Sequence, residues 1–219
     1  MEDKIREIKG QLRLYMNGVV SQSMRKKGLD YKLIFGVELP RLKEIAQTIE
    51  PSSVLAEALW LENNRECKIL ATMIYPKAEF TSEVANLWIE GVTNIELARF
   101  ISMNLLQHLE YAPALCLSWI ANSRELTQIV GYLTMSRLFR RSDEMDLRAV
   151  EEFVNQSFAA VESGDFHLRS AAMQALISFM QMNSTHKEML VKLVEGFDMS
   201  ENMNQQILHT QIKEEASYL

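Results

Sequence analysis

The sequence predicts an all-α protein, an α-solenoid of stacked antiparallel helical pairs. Three observations predict it. Apolar residues recur at steps of three and four along most of the chain. Only 8 glycines and 4 prolines interrupt 219 residues. Leu, Ala, Met, Glu, Lys, Arg and Gln, which lose least on entering a helix, are abundant. No alternating run bounded by turn signals competes as a sheet.

The elements follow in order. Gly36, Val37 and Pro40 read as a tight turn feeding a helix whose first turn tolerates proline, and Leu39, Leu42, Ile45, Ala46 and Ile49 give that helix one apolar stripe. Further helices are expected over 52–61 and 64–75, 81–91 and 94–108, 111–120 and 123–140, and 144–163 and 166–182, each couple forming a hairpin. Their starts carry capping chemistry: Pro51-Ser52-Ser53, Asn63-Asn64, Thr81-Ser82, Thr93-Asn94, Asn122-Ser123, Ser142-Asp143, and Thr185 with Glu188 in capping-box spacing. The last couple shows its stripes plainly, Leu147, Val150, Val154 and Val161, then Leu168, Ala171, Ala172, Ala175, Leu176 and Phe179. About a dozen helices result. Ala71, Ile101 and Gly131, at the centres of successive second helices, are 30 residues apart, and Ala172 follows after 41. A hairpin of that period cannot bury its apolar face alone and must stack on its neighbours. The expected organisation is one domain over 1–219, with an irregular helical bundle as the competing arrangement.

Charge and cysteine usage narrow the function. The net charge is −6, unfavourable for gripping a polyanion, but it is uneven. Residues 1–50 carry +3 and the remaining 169 carry −9, so any basic surface is local. Cys67 and Cys116 lie in apolar helical stretches and read as buried, reduced thiols. The four histidines fall in no metal-ligand spacing, so neither a metal nor a cofactor is expected. The charged amino terminus and the lack of a long apolar run point to a cytoplasmic protein away from membranes. No nucleophile with a partnered base and no glycine-rich phosphate loop marks a small-molecule enzyme.

From residue 31 a pattern emerges: Tyr31-x-x-x-Phe35-Gly36-Val37-x-x-Pro40-x-Leu42-Lys43-x-Ile45-Ala46, then Ala58-Leu59-Trp60-x-Glu62-x-x-Arg65-Glu66 and Leu70, then Trp88 to Val92 and Asn94. It resembles the HEAT-like DNA alkylation repair glycosylases. The resemblance implies helical pairs that cradle duplex DNA on a basic, concave surface. In members that excise alkylated purines, it also implies aromatic side chains against the deoxyribose and a carboxylate that stabilises the cationic sugar. This chain departs from that pattern. Trp88 falls where the first aromatic is expected. The stretch after it, Val92-Thr93-Asn94-Ile95, holds no carboxylate, and Glu90 and Glu96 lie off the expected spacing. Gln128-Ile129-Val130 stands in place of the arginine, and Met173-Gln174-Ala175 in place of the later aromatic.

Two functions are therefore expected side by side. One is duplex-DNA binding with little or no base excision. Its candidate contacts are Lys26, Lys27, Trp88, Asn94, Arg137, Arg140, Arg141 and Arg148, and it has no assigned catalytic residue. The other is a non-catalytic helical-repeat scaffold for a protein partner. Each candidate also has a structural role open to it: Trp88 as core, Asn94 as N-cap, the arginines as cations at a helix end, and Arg65-Glu66 as a helix opening.

Overall fold

The computed structural model describes residues 1–141 and 145–219, without the Ser163 side chain. About 74% of the chain is helical, and the described residues contain no strand. Leu33 and Asn64 form an isolated parallel bridge. The chain divides into two compact units, Met1–Trp88 and Ile89–Leu219.

The first unit contains α1 (Glu2–Leu14), α2 (Gly18–Lys26), α3 (Leu39–Thr48), α4 (Ser53–Leu61) and α5 (Arg65–Ile74), and α6 (Ser82–Glu90) carries the boundary. Side-chain caps set the starts. Asn17, Ser52 and Asn64 accept from the backbone N–H three residues on, and α3 begins with Pro40 in its first turn. Helices α4 and α5 pair, α3 packs on α5, and α1 rests on α4. The segment 31–37 between α2 and α3 is not helical, and its polar backbone is satisfied from α5. The Glu66 carboxylate is fully buried and accepts from the N–H groups of Phe35 at 3.0 Å, Gly36 at 2.9 Å and Val37 at 3.3 Å. The Arg65 guanidinium donates to Val37 O at 3.2 Å and lies 3.1 Å from Glu66. These residues therefore do more than open α5: they fasten a loop thirty residues earlier in the chain. Gly36, at φ +76°, fits because a Cβ there would run into Asn17 O and stand 2.8 Å from Ser21 N.

The second unit contains α7 (Ile95–Asn104), α8 (Ala112–Ile120), α9 (Glu125–Phe139), α10 (Leu147–Ser163), α11 (Phe166–Met180), α12 (Ser184–Leu193) and α13 (Met203–Tyr218). Helices α8 and α9 form one antiparallel pair and α10 and α11 the next, with α9 packed on both α7 and α11. Helix α9 is buried on nearly every side, which is why small and hydroxylic residues serve it. Thr134 donates to Ser102 of α7 at 3.0 Å, and Ser136 lies 2.8 Å from Ser178 of α11. Gly131 lets α8 come close, since a Cβ would stand 2.7 Å from Ile120 Cγ2 and 3.1 Å from Cys116 O. Phe139, Phe153 and Phe179 form the aromatic centre, with ring centroids 5.0–5.5 Å apart.

Two expected helix starts differ. Asn122 accepts from Arg124 N at 2.8 Å in a turn, so α9 opens at Arg124 rather than at Asn122-Ser123. At α12 the cap is Asn183, which accepts from His186 N, and Thr185 and Glu188 lie inside the helix, so no capping box forms. Ser142-Asp143 lies outside the described residues, and Asp146 caps α10.

Candidate nucleic-acid interface

Trp88 is 4% exposed. It stacks face to face on Trp60, centroids 4.3 Å apart at 7°, and meets Tyr75 and Phe80 edge-on at 5.3 and 5.2 Å. The other side of the Trp60 story is polar: Lys68 Nζ lies 4.7 Å from the Trp60 ring centroid. The cluster leaves the indole almost no exposed surface, which favours the core role open to Trp88 over a DNA contact. Asn94 caps α7, its Oδ1 accepting from Leu97 N at 2.9 Å, so that side-chain oxygen is already engaged.

The basic candidates separate into small groups. Lys26 ends α2 and Lys27 caps it, both exposed at the negative end of that helix dipole. Arg137, in the last turn of α9, is half-buried, and burial, then the charge of Arg140, lowers its pKa from the ordinary arginine value. Arg141 donates to Gln107 O, fastening the end of α9 to the turn after α7. Arg148 is exposed in the first turn of α10. Arg137 and Arg140 are thus brought together, whereas Arg141 is turned to a backbone carbonyl.

Arg140 also opens onto a groove of about 680 Å³ lined mainly by α11 and α13. Its second cation, Arg169, was not among the sequence candidates, and it is oriented by Asn204, whose Oδ1 accepts at 2.9 Å. The amides of Gln174, Gln181 and Gln211 join them, beside Met173, Ile177 and Ile207. Phe166, 69% exposed, and Glu215 complete the chemistry of the lining. A signal was present in the sequence: residues 166, 170, 173, 174, 177 and 181 form a second stripe on α11, opposite the buried one at 168, 171, 172, 175, 176 and 179. Glu90 is exposed and, like Glu96, lies outside this lining. Met173 and Gln174, which stand where the later aromatic was expected, do line it.

Among the described residues no group of three His, Cys, Asp or Glu is placed to hold a metal ion. Cys67 and Cys116 are free and buried. Burial pushes the Cys67 thiol up to about 12 and raises Cys116 as well, so neither is a ready nucleophile. No described helix is long and apolar enough to cross a membrane.

Paired helices stacked through their second members, with an arginine-bearing groove along one of them, define a helical-repeat protein of the HEAT-like class. The chain belongs to the DNA alkylation repair enzyme family, whose model matches residues 8–160. A solved structure from a new family of proteins related to the HEAT-like repeat DNA glycosylases, with affinity for branched DNA structures, has the same fold. It superposes with a TM-score of 0.78 over 97% of this chain and 94% of that one, at 17% identity. No curated protein matches the chain.

Proposed function

We propose that the protein binds structured DNA, branched DNA in particular, through its phosphate backbone and without excising bases, in the cytoplasm. The observation that carries this reading is the groove over α11, whose lining includes both Arg140 and Arg169, within a chain of net charge −6. Guanidinium forks suit phosphate oxygens, and the amides beside them suit sugar and base edges. The family match and the fold of a relative with affinity for branched DNA support the same reading. Three features argue against excision: a buried Trp88, the neutral stretch Val92-Thr93-Asn94, and Met173-Gln174-Ala175 in place of an aromatic. Loss of one preorganised electrostatic group costs on the order of 10²–10³ in rate. Joint loss leaves little above background.

The test pairs two assays. Anisotropy with a labelled four-way junction and a duplex of equal length should give tighter binding to the junction, weakened at least tenfold in Arg140→Ala/Arg169→Ala. Release of 7-methylguanine and 3-methyladenine from methylated duplex should stay at background. Release comparable to an active family member, abolished by Glu215→Gln, Glu90→Gln or Glu96→Gln, would overturn the non-excising reading and identify the anion. The net charge of −9 on residues 51–219 favours the second reading, a scaffold for a basic protein partner. Under that reading neither DNA is bound at 0.15 M salt.

A further inference from the structure

The turn between α1 and α2 exposes Leu14 (81%), Met16 (62%) and Val19 (79%), with Tyr15 beside them at 43%. Single exposed apolar residues are ordinary, but four within six positions form a patch. The patch is held firmly. Asn17 at its centre donates its N–H to Phe35 O at 2.9 Å, accepts from Ser21 N at 2.9 Å through its carbonyl, and accepts from Val20 N at 3.1 Å through its side chain. Phe35 belongs to the segment that Glu66 fixes from α5, and Gly36 there is pressed so closely on Asn17 that no side chain fits between them. The turn therefore presents its apolar tips from a rigid base, at little further entropic cost on binding.

The flanking sequence is basic, although Lys9 is paired with Glu62 and Arg41 with Glu44. Residues 9–32 hold Lys9, Arg13, Arg25, Lys26, Lys27 and Lys32 against a single acid, Asp30, in a chain whose overall charge is negative. The Arg41 guanidinium lies over the Tyr15 ring, 4.4 Å from its centroid. An apolar tip inside a basic field matches the end of a base stack, an apolar face bordered by phosphates, and Leu, Met and similar side chains are the types that wedge at such steps. A membrane anchor needs an apolar face along a whole helix. Here the exposed apolar residues run only from the last residue of α1, Leu14, to Val19 in the first turn of α2, and α2 runs on after Val20 as Ser-Gln-Ser-Met-Arg-Lys.

We infer that the α1–α2 turn is a wedge that packs against the unstacked base pair at a DNA branch point, with Lys26 and Lys27 on the neighbouring phosphates. This rests on the DNA-binding reading proposed above and adds a second, separate contact to it.

The experiment compares wild type with Leu14→Ser/Met16→Ser/Val19→Ser, all exposed positions, after thermal melting shows both equally folded. Binding is read by anisotropy on a four-way junction and a continuous duplex, and by 2-aminopurine fluorescence at the branch point. The wedge predicts about a tenfold loss on the junction, less than twofold on the duplex, and loss of the 2-aminopurine change. Lys26→Ala/Lys27→Ala should instead weaken both DNAs and lower the salt dependence. Unchanged junction affinity in the triple variant overturns the wedge while leaving DNA binding intact, whereas wild type that binds neither DNA overturns both. A triple variant that loses only binding to phosphatidylserine vesicles, or only concentration-dependent self-association, assigns the patch to a membrane or to a second copy, and also overturns the wedge.

Discussion

Glu66 illustrates how much one residue can hold. A carboxylate with no access to water is tolerable only when its oxygens are saturated, and three backbone N–H groups and Arg65 do this. Glu66→Gln keeps the shape but leaves the Arg65 charge buried without its counter-ion, and should cost roughly 3–5 kcal/mol. Urea denaturation checks it, and a change under 1 kcal/mol would show the charge to be dispensable. The thiols give a second expectation. Cys67 is held neutral by burial, its pKa raised from 9.0 to about 12. A raised thiol favours the native state in full below the unfolded value, and this contribution is lost as pH climbs from about 9 towards 12. Native protein at pH 8 should resist thiol labelling, urea should expose both cysteines, and stability should fall from pH 9 upward. Rapid labelling of the native protein would show the burial to be wrong. The sequence located Arg65 and Glu66 at a helix start. Their partners lie thirty residues away, and local spacing carries no sign of a contact across that distance.

At the scale of the element, the helix couples were legible because caps and stripes are local. The predicted 166–182 is α11, Phe166–Met180, and the predicted 64–75 is α5, Arg65–Ile74. The misplaced starts arose where a polar residue forms a turn before the helix, as Asn122 does, and cap and turn chemistry use the same side chains. The 30-residue spacing of Ala71, Ile101 and Gly131 marked real packing centres, all on buried helix faces. Gly131 supplies the test. In an exposed helix Gly→Ala gains up to about 1 kcal/mol. In α9 the added methyl would meet Ile120 and the Cys116 carbonyl, so Gly131→Ala should destabilise by about 1–3 kcal/mol. A variant melting above wild type would show that α8 and α9 have room to spare.

Across the whole molecule, composition told against DNA while local chemistry tells for it. The net charge of −6 is an average over a basic amino-terminal stretch and acidic helices, and it carries no information on where cations meet. Lys26, Lys27, Arg137 and Arg140 were visible as sequence clusters, but that Arg140 and Arg169 line one groove was not, because the two lie on different helices. Trp88 was legible as an aromatic in a family position, yet its packing partners, Trp60, Tyr75 and Phe80, come from three other segments and were not. The central claim is that this groove holds phosphate. The most direct measurement is the salt dependence of four-way-junction binding for wild type and for Arg140→Ala/Arg169→Ala. Wild-type log affinity should fall linearly with log salt, and the double variant should show a slope shallower by about 2, one for each lost phosphate contact. An identical slope for the two proteins, or no binding by wild type at low salt, would contradict the account.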